Sequence, residues 1–268
     1  MTFSPALLNL GPTWVTDLVA LLITFAVIQA LVLANGALQK RELLPTYITR
    51  KIIHIFAAPI FVLCWMLFSG AGSSRLFAAA VPLAFIAQFA AAGFGWRKDE
   101  AFVNSMSRSG DPKELLRGTM HYAIIMLIAV LFFFTTGKSG TVFIPTAMIV
   151  LGALAGGDGL ADIVGRRFGG ERTFGIGGSK KTVAGSLAMF VGSLAMSMFL
   201  LAAFTLVAPL DLGALFLPVL LLSLLATVVE AFSPKGIDNI LIPASVFIGI
   251  LLLTFLAPNL WSFPLFTL

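Results

Sequence analysis

Charge is scarce in this chain. Asp, Glu, Lys and Arg make up 11% of its 268 residues, against 59% hydrophobic ones. A soluble domain carries roughly 25% charged residues, so an ordinary soluble enzyme is excluded. Cysteine is nearly absent as well. Cys64 stands alone, so no internal disulfide can form, and its setting FVLCWMLF reads as that of a small packed hydrophobe. No long polar stretch separates the apolar runs, which excludes a separate soluble domain. Met1 to Pro12 holds no Lys or Arg. The first apolar run therefore lacks the basic head of a signal peptide and is expected to stay in place as a span.

What the chain does have is a series of apolar windows, each close to the roughly 20 residues that a bilayer-crossing helix needs. Eight are read, at about 14–35, 51–69, 75–95, 119–136, 141–161, 183–208, 213–231 and 239–257. The expected fold is all-α: a polytopic membrane helix bundle forming a single integral domain over residues 1–268.

The bases test that reading, because Lys and Arg collect in cytoplasmic loops during insertion. The first loop takes Lys40, Arg41, Arg50 and Lys51, and the third takes Arg97, Lys98, Arg108, Lys113 and Arg117. The fifth takes Arg166, Arg167, Arg172, Lys180 and Lys181, and the seventh takes Lys235. Only Arg75 and Lys138 remain for the other face. Both termini are thus expected on the non-cytoplasmic side of what reads as a bacterial inner membrane. The net charge of +5 is explained by orientation, so no nucleic-acid partner is expected.

Most acids follow the bases; only Asp17 and Asp211 fall on the opposite side. Acids at the edge of a span are costly and tend to be functional. Asp158, Asp162 and Arg166 recur every four residues, on one helical face with roughly 6 Å of rise between neighbours. Gly157, Ala161, Gly165 and Gly169 form the adjacent stripe, small enough for a helix or a ligand to approach the backbone. Two carboxylates one turn apart suit Mg²⁺, which keeps phosphate and water in its shell; a salt-bridge cluster with Arg166 and Arg167 is the alternative.

Downstream, FGIGGSKKTVAGS (Phe174–Ser186) sets glycines before Lys180, Lys181 and Thr182 at the start of a span. Exposed backbone N–H groups, a helix start and two ammonium groups suit a phosphate, although the Walker A spacing is absent; contact with anionic lipid is the other reading. His54 lies near Arg50 and Lys51, which favour its neutral, proton-accepting form. It reads equally as an interfacial anchor. Glu230 closes the seventh span, and Asp238 and Asn239 open the eighth after a Pro234–Gly236 turn; they read as ligands for a second Mg²⁺ or for part of a nucleotide, with helix-end capping as the alternative. Lys113 and Arg117 read either as solvated charge or as part of the site. The 25 phenylalanines do not single out a pocket for an apolar substrate.

Five segments, RKIIHI (Arg50–Ile55), GDPKELLRGTMHYA (Gly110–Ala123), GDGLADIVGRRFG (Gly157–Gly169), KKTVAGS (Lys180–Ser186) and VEAFSPKGIDNILIP (Val229–Pro243), carry a resemblance covering most of the chain. They resemble the CTP-dependent membrane polyprenol kinases, the family of dolichol, phytol and farnesol kinases, and look most like the phytol kinase branch. Dolichol kinases usually have Glu where Ala184 stands. The resemblance implies phosphoryl transfer from CTP, or another nucleoside triphosphate, to an isoprenoid alcohol such as phytol, farnesol or geranylgeraniol at the cytoplasmic membrane face. It implies a catalytic set of Asp158, Asp162, His54, Glu230 and Asp238, with Mg²⁺ on Asp158, Asp162 and Asp238. The nucleotide falls to Arg50, Lys51, Lys113, Gly165 and Arg166, and to Gly169, Lys180, Lys181, Thr182 and Asn239. A cytidylyltransferase acting on a lipid phosphate would use similar groups. A transporter would carry charge at the bilayer midplane and inverted repeats, and neither is found in the sequence.

Overall fold

The computed structural model describes residues 7–41, 43–107, 110–138 and 142–266; Arg108, counted above among the inward bases, lies outside the described residues. The helices are α1 (Thr13–Lys40), α2 (Thr46–Cys64), α3 (Ser74–Gly93), the short α4 (Glu100–Met106), α5 (Gly118–Phe133), α6 (Thr146–Gly152), α7 (Gly159–Phe168), α8 (Val183–Phe204), α9 (Leu212–Ala231) and α10 (Asp238–Leu256). A 3₁₀ turn at Trp65–Leu67 extends α2, another at Pro112–Leu116 leads into α5, and a π-helical stretch, Ala153–Asp158, welds α6 to α7. The fold is all-helical, and among the described residues the only β pairing is the single bridge between Phe174 and Lys181.

Eight helices are long and apolar enough to cross a membrane, the fifth being the continuous run Thr146–Phe168. The expected number of spans therefore stands, but the helices of three spans begin or end five residues or more from the expected boundary. The first span was expected to stop near 35 and instead runs to Lys40, because its last residues, GALQK, are mostly good helix formers. The second starts before Arg50 and Lys51, which lie inside α2 rather than in a loop. The fifth was expected at 141–161; Pro145 holds its start back to Thr146, and the helix carries on through Arg166 and Arg167 to Phe168. An i,i+4 pair, Asp162 with Arg166 at 2.9 Å, supports that extra turn.

That fifth span is the axis of the bundle. Of its apolar window 78% is buried inside the protein, against 28% for α1. In lipid, burying apolar surface gives little drive for helix association, and close backbone packing takes its place. Glycines provide it here. A Cβ on Gly156 would lie 2.5 Å from the Gly192 carbonyl, and one on Gly152 would lie 2.8 Å from the Ser197 backbone. A Cβ on Gly185 would come within 3.1 Å of the Ala161 carbonyl. The small-residue stripe read from the sequence thus seats α8 against the fifth span. Large apolar side chains that remain exposed, such as Leu33, Phe255 and Leu256, suit a lipid-facing surface.

Candidate active site

Charged side chains from six separated segments gather at one end of the bundle. They line a polar cavity of about 880 Å³ with seven cations and five carboxylates on its wall. Three clusters organise it.

The first joins α2 to the fifth span. Asp158 ends the π-helical stretch and is 7% exposed. Lys51, on the first turns of α2, places Nζ 2.9 Å from Asp158 Oδ2 and 4.0 Å from Asp162 Oδ2, so one ammonium touches both carboxylates. His54 Nε2 lies 3.1 Å from Asp158 Oδ2 and 3.2 Å from the Leu154 carbonyl. With oxygen on both sides, Nε2 is assigned as an N–H donor to them.

Tyr122 fixes this part of α2 from across the bundle. Its hydroxyl donates to the His54 carbonyl at 2.6 Å and accepts from Ala58 N–H at 3.3 Å, and the two rings sit 4.5 Å apart. The hydroxyl is spliced into the i→i+4 ladder directly before Pro59, a residue with no N–H to give.

The second cluster is a hairpin whose glycines make its turns. Gly170, Gly175, Gly177 and Gly178 all have positive φ, which only glycine adopts cheaply. Phe174 and Lys181 exchange backbone bonds of 2.9 and 2.7 Å at the hairpin's base. Its tip packs on the α9–α10 turn, where Lys235 N–H reaches the Gly177 carbonyl at 3.4 Å. This closure aims Lys181 at Glu230, with which it pairs directly, and at Asp238 Oδ2, 3.7 Å away. Burial pulls the Lys181 pKa down, but the neighbouring carboxylates, Glu230 first, outweigh it and hold the ammonium above its ordinary range.

The third cluster is the start of α8. Thr182 caps the helix, its Oγ1 accepting from Gly185 N–H at 3.0 Å, and the helix N-terminus faces the cavity through Gly185 and Ser186. The Gly185 and Ser186 amides are already engaged by the Thr182 hydroxyl and carbonyl, so what the helix start offers an anion is its dipole.

Of the residues expected to act, Arg50, Lys51, His54, Asp158, Asp162, Gly165 and Arg166 line the cavity, as do Lys180, Lys181, Thr182, Glu230, Asp238 and Asn239. Lys113 and Gly169 do not line it. Lys113 is exposed and only its backbone N–H is engaged, by Asp111 Oδ1 at 2.9 Å. Gly169 is packed against Thr182, whose methyl and hydroxyl leave no space for a side chain. Asn239 is tied down, donating Nδ2–H to the Gly118 carbonyl at 3.0 Å.

Among the described residues no three His, Cys, Asp or Glu side chains stand close enough to hold a metal by themselves. Asp238 sits with Lys181 and Glu230, apart from Asp158 and Asp162. Mg²⁺ commonly uses only one or two carboxylates and completes its octahedron with phosphate oxygens and water. Asp158 and Asp162 fit that smaller set.

Glu114, Arg117 and Lys235 also line the cavity. In a 3₁₀ turn of three residues per turn, positions 114 and 117 share a side. That spacing was the available signal for Arg117 over Lys113.

Curated relatives agree with this picture. The chain is 36% identical over 243 residues to a probable chloroplastic phytol kinase of Triticum aestivum, covering 87% of this chain and 76% of that protein. It is 33% identical over 224 residues to the chloroplastic phytol kinase 1 of Arabidopsis thaliana, covering 82% and 71%. With the chloroplastic farnesol kinase of the same plant it shares 36% over 200 residues, covering 73% and 61%. No family profile matches the chain, and no solved structure does. The relatives' names point to chloroplasts and give the expected bacterial inner membrane no support; the eight apolar helices support a multi-pass membrane protein. On identity and coverage together, the chain belongs to the polyprenol kinase family, in its phytol kinase branch.

Proposed function

We propose that this protein is an isoprenoid alcohol kinase, a single integral membrane domain that moves the terminal phosphoryl group of CTP to the hydroxyl of a phytol-like alcohol. In this reading the charged end faces the cytoplasm and both termini lie on the other side. The observation that carries it is the cavity at that end, where cations outnumber carboxylates and adjoin two acids suited to a hard cation. The relatives' names supply the substrate class.

Phosphoryl transfer passes through a loose transition state, so catalysis is mostly positioning and charge stabilisation. Lys180, Lys181 and Arg166 neutralise the triphosphate, and the α8 N-terminus gives amide dipoles to the same oxygens. Asp158 and Asp162 would hold Mg²⁺, which withdraws charge from the phosphate oxygens when bound. Lys51 fixes both carboxylates. The alcohol oxygen forms its bond to the γ-phosphorus as the bond from that phosphorus to the β–γ bridging oxygen breaks, and CDP leaves. The hydroxyl proton passes to His54 Nδ1, and Asp158, beside Nε2, stabilises the resulting imidazolium.

The test is a product assay with purified protein, labelled nucleotides and a panel of lipid alcohols. Alcohol monophosphate with CDP is the expected outcome. Pyrophosphate release with CMP left on a lipid phosphate would replace the kinase with a cytidylyltransferase, and preference for ATP or UTP would replace CTP as donor.

A further inference from the structure

A second cavity, apolar and of about 70 Å³, lies between α1, α2, α3 and α5. Arg50, His54 and Met106 line both it and the charged cavity, so the two spaces meet at the residues where polar wall gives way to apolar wall. Past His54 the surface comes from Val32 of α1, Ala57 of α2, Phe85 and Phe89 of α3, and Ala123 and Met126 of α5. The hydroxyl of Tyr122 is already spent on the α2 backbone. Along α2 the lining runs from Arg50 to Ala57, and along α5 from Thr119 to Met126. Each stretch is two helical turns, about 10 Å at ~1.5 Å per residue, well short of the ~30 Å hydrocarbon core.

We infer that this cleft seats the head-proximal isoprene units of the acceptor alcohol and delivers its hydroxyl to His54, while the remainder of the tail passes between helices into lipid. The inference rests on the kinase reading above. An amphiphile with one apolar tail has a single favourable pose here. Its polar head belongs at the Arg50–His54 rim, because past it the lining is apolar apart from Thr119 at the start of α5 and the engaged Tyr122, and burying a hydroxyl without a hydrogen bond is unfavourable. That rim is where His54 meets Asp158, 3.1 Å away. A cleft this shallow reads methyl branching near the hydroxyl and is indifferent to the tail beyond.

The test uses the full chain in lipid nanodiscs. A photoreactive farnesol carrying its diazirine near the hydroxyl is expected to label peptides of α1, α2, α3 or α5. Ala57→Leu and Ala123→Leu should raise KM for branched alcohols by tenfold or more, with KM for the nucleotide changed less than twofold. Alcohols differing only in distal isoprene units should show matching kcat/KM. Label confined to other helices, or unchanged alcohol KM in both variants, overturns the cleft assignment. Should neither variant fold, the labelling of the unmodified chain decides. Phosphate transfer with label elsewhere sinks the cleft alone, whereas label in the cleft without transfer from any nucleotide sinks the kinase reading and leaves an isoprenoid site.

Discussion

The two ends of the bundle each bury charge, and they do it differently. At the end opposite the cavity, Asp17 is fully buried. It accepts from Ser69 N–H at 2.7 Å and from Ser74 Oγ at 2.8 Å, and Lys138 donates to the neighbouring Phe68 carbonyl. Every partner there is a chain group meeting another, and together they staple the start of α1 to the α2–α3 turn. At the charged end the partners surround an open volume, and Lys51 and Lys181 each divide themselves between two carboxylates. Buried charge alone therefore does not mark a site; buried charge arranged around space does.

The sharpest way to break this contrast is to neutralise one acid at each end. Asp158→Asn should cut kcat/KM by about 10³-fold or more, about 4 kcal/mol of transition-state stabilisation. Asp17→Asn should leave kcat/KM within about threefold while lowering unfolding free energy by about 1–3 kcal/mol, measured by thermal denaturation in detergent. Equal activity losses in the two variants would remove the distinction. Within the charged end, Arg117→Ala should cost about tenfold in nucleotide KM, about 1.4 kcal/mol, and Lys113→Ala less than twofold, since only the first lines the cavity. On the seam between the ends, Gly156→Ala drives a methyl to 2.5 Å from the Gly192 carbonyl and should cost about 1–3 kcal/mol of stability, as overpacking does.

The smallest effect is in pH. Lys181 has its pKa raised, burial being overcome by Glu230 and Asp238. Its stabilisation is fully present below the unfolded value of about 10.4 and is lost as pH rises through the higher folded value. Lys138 is shifted the other way, lowered by burial against a weaker pull from Asp17. Its charging penalty is present at low pH and is relieved as pH climbs from its depressed value toward about 10.4. Differences in melting temperature between the unmodified chain and Lys181→Met, and between it and Lys138→Met, should therefore change with opposite slopes in alkaline buffer. Parallel slopes would show the two lysines in the same environment.

Much of this was legible in the sequence. Eight spans follow from length and hydropathy, and the segregation of Lys and Arg marks the end where the site lies, since both properties are local. Asp158, Asp162, Lys181 and Asp238 could be proposed as partners because each sits at a span edge where charge is expensive. Which cation meets which acid was not legible. Lys51 and Asp158 are 107 residues apart, and only the packing of α2 on the fifth span brings them together. What Gly169 and the loop glycines pack against was not legible for a related reason. Composition says that a glycine permits close approach, and the fold alone says whether a ligand, a helix or a turn uses it. The apolar cleft had no sequence signature, because every span supplies Phe, Leu and Ala.

The Tyr122 hydroxyl between the His54 carbonyl and the Ala58 amide couples two spans at the level of a single peptide group. Under the proposed mechanism, any sliding of α5 would be transmitted to the backbone that carries the His54 imidazole, so the proposed base would travel with the wall of the proposed alcohol cleft. Removing that oxygen, as in Tyr122→Phe, frees the amide to close its own ladder and uncouples the two motions without touching a charged group.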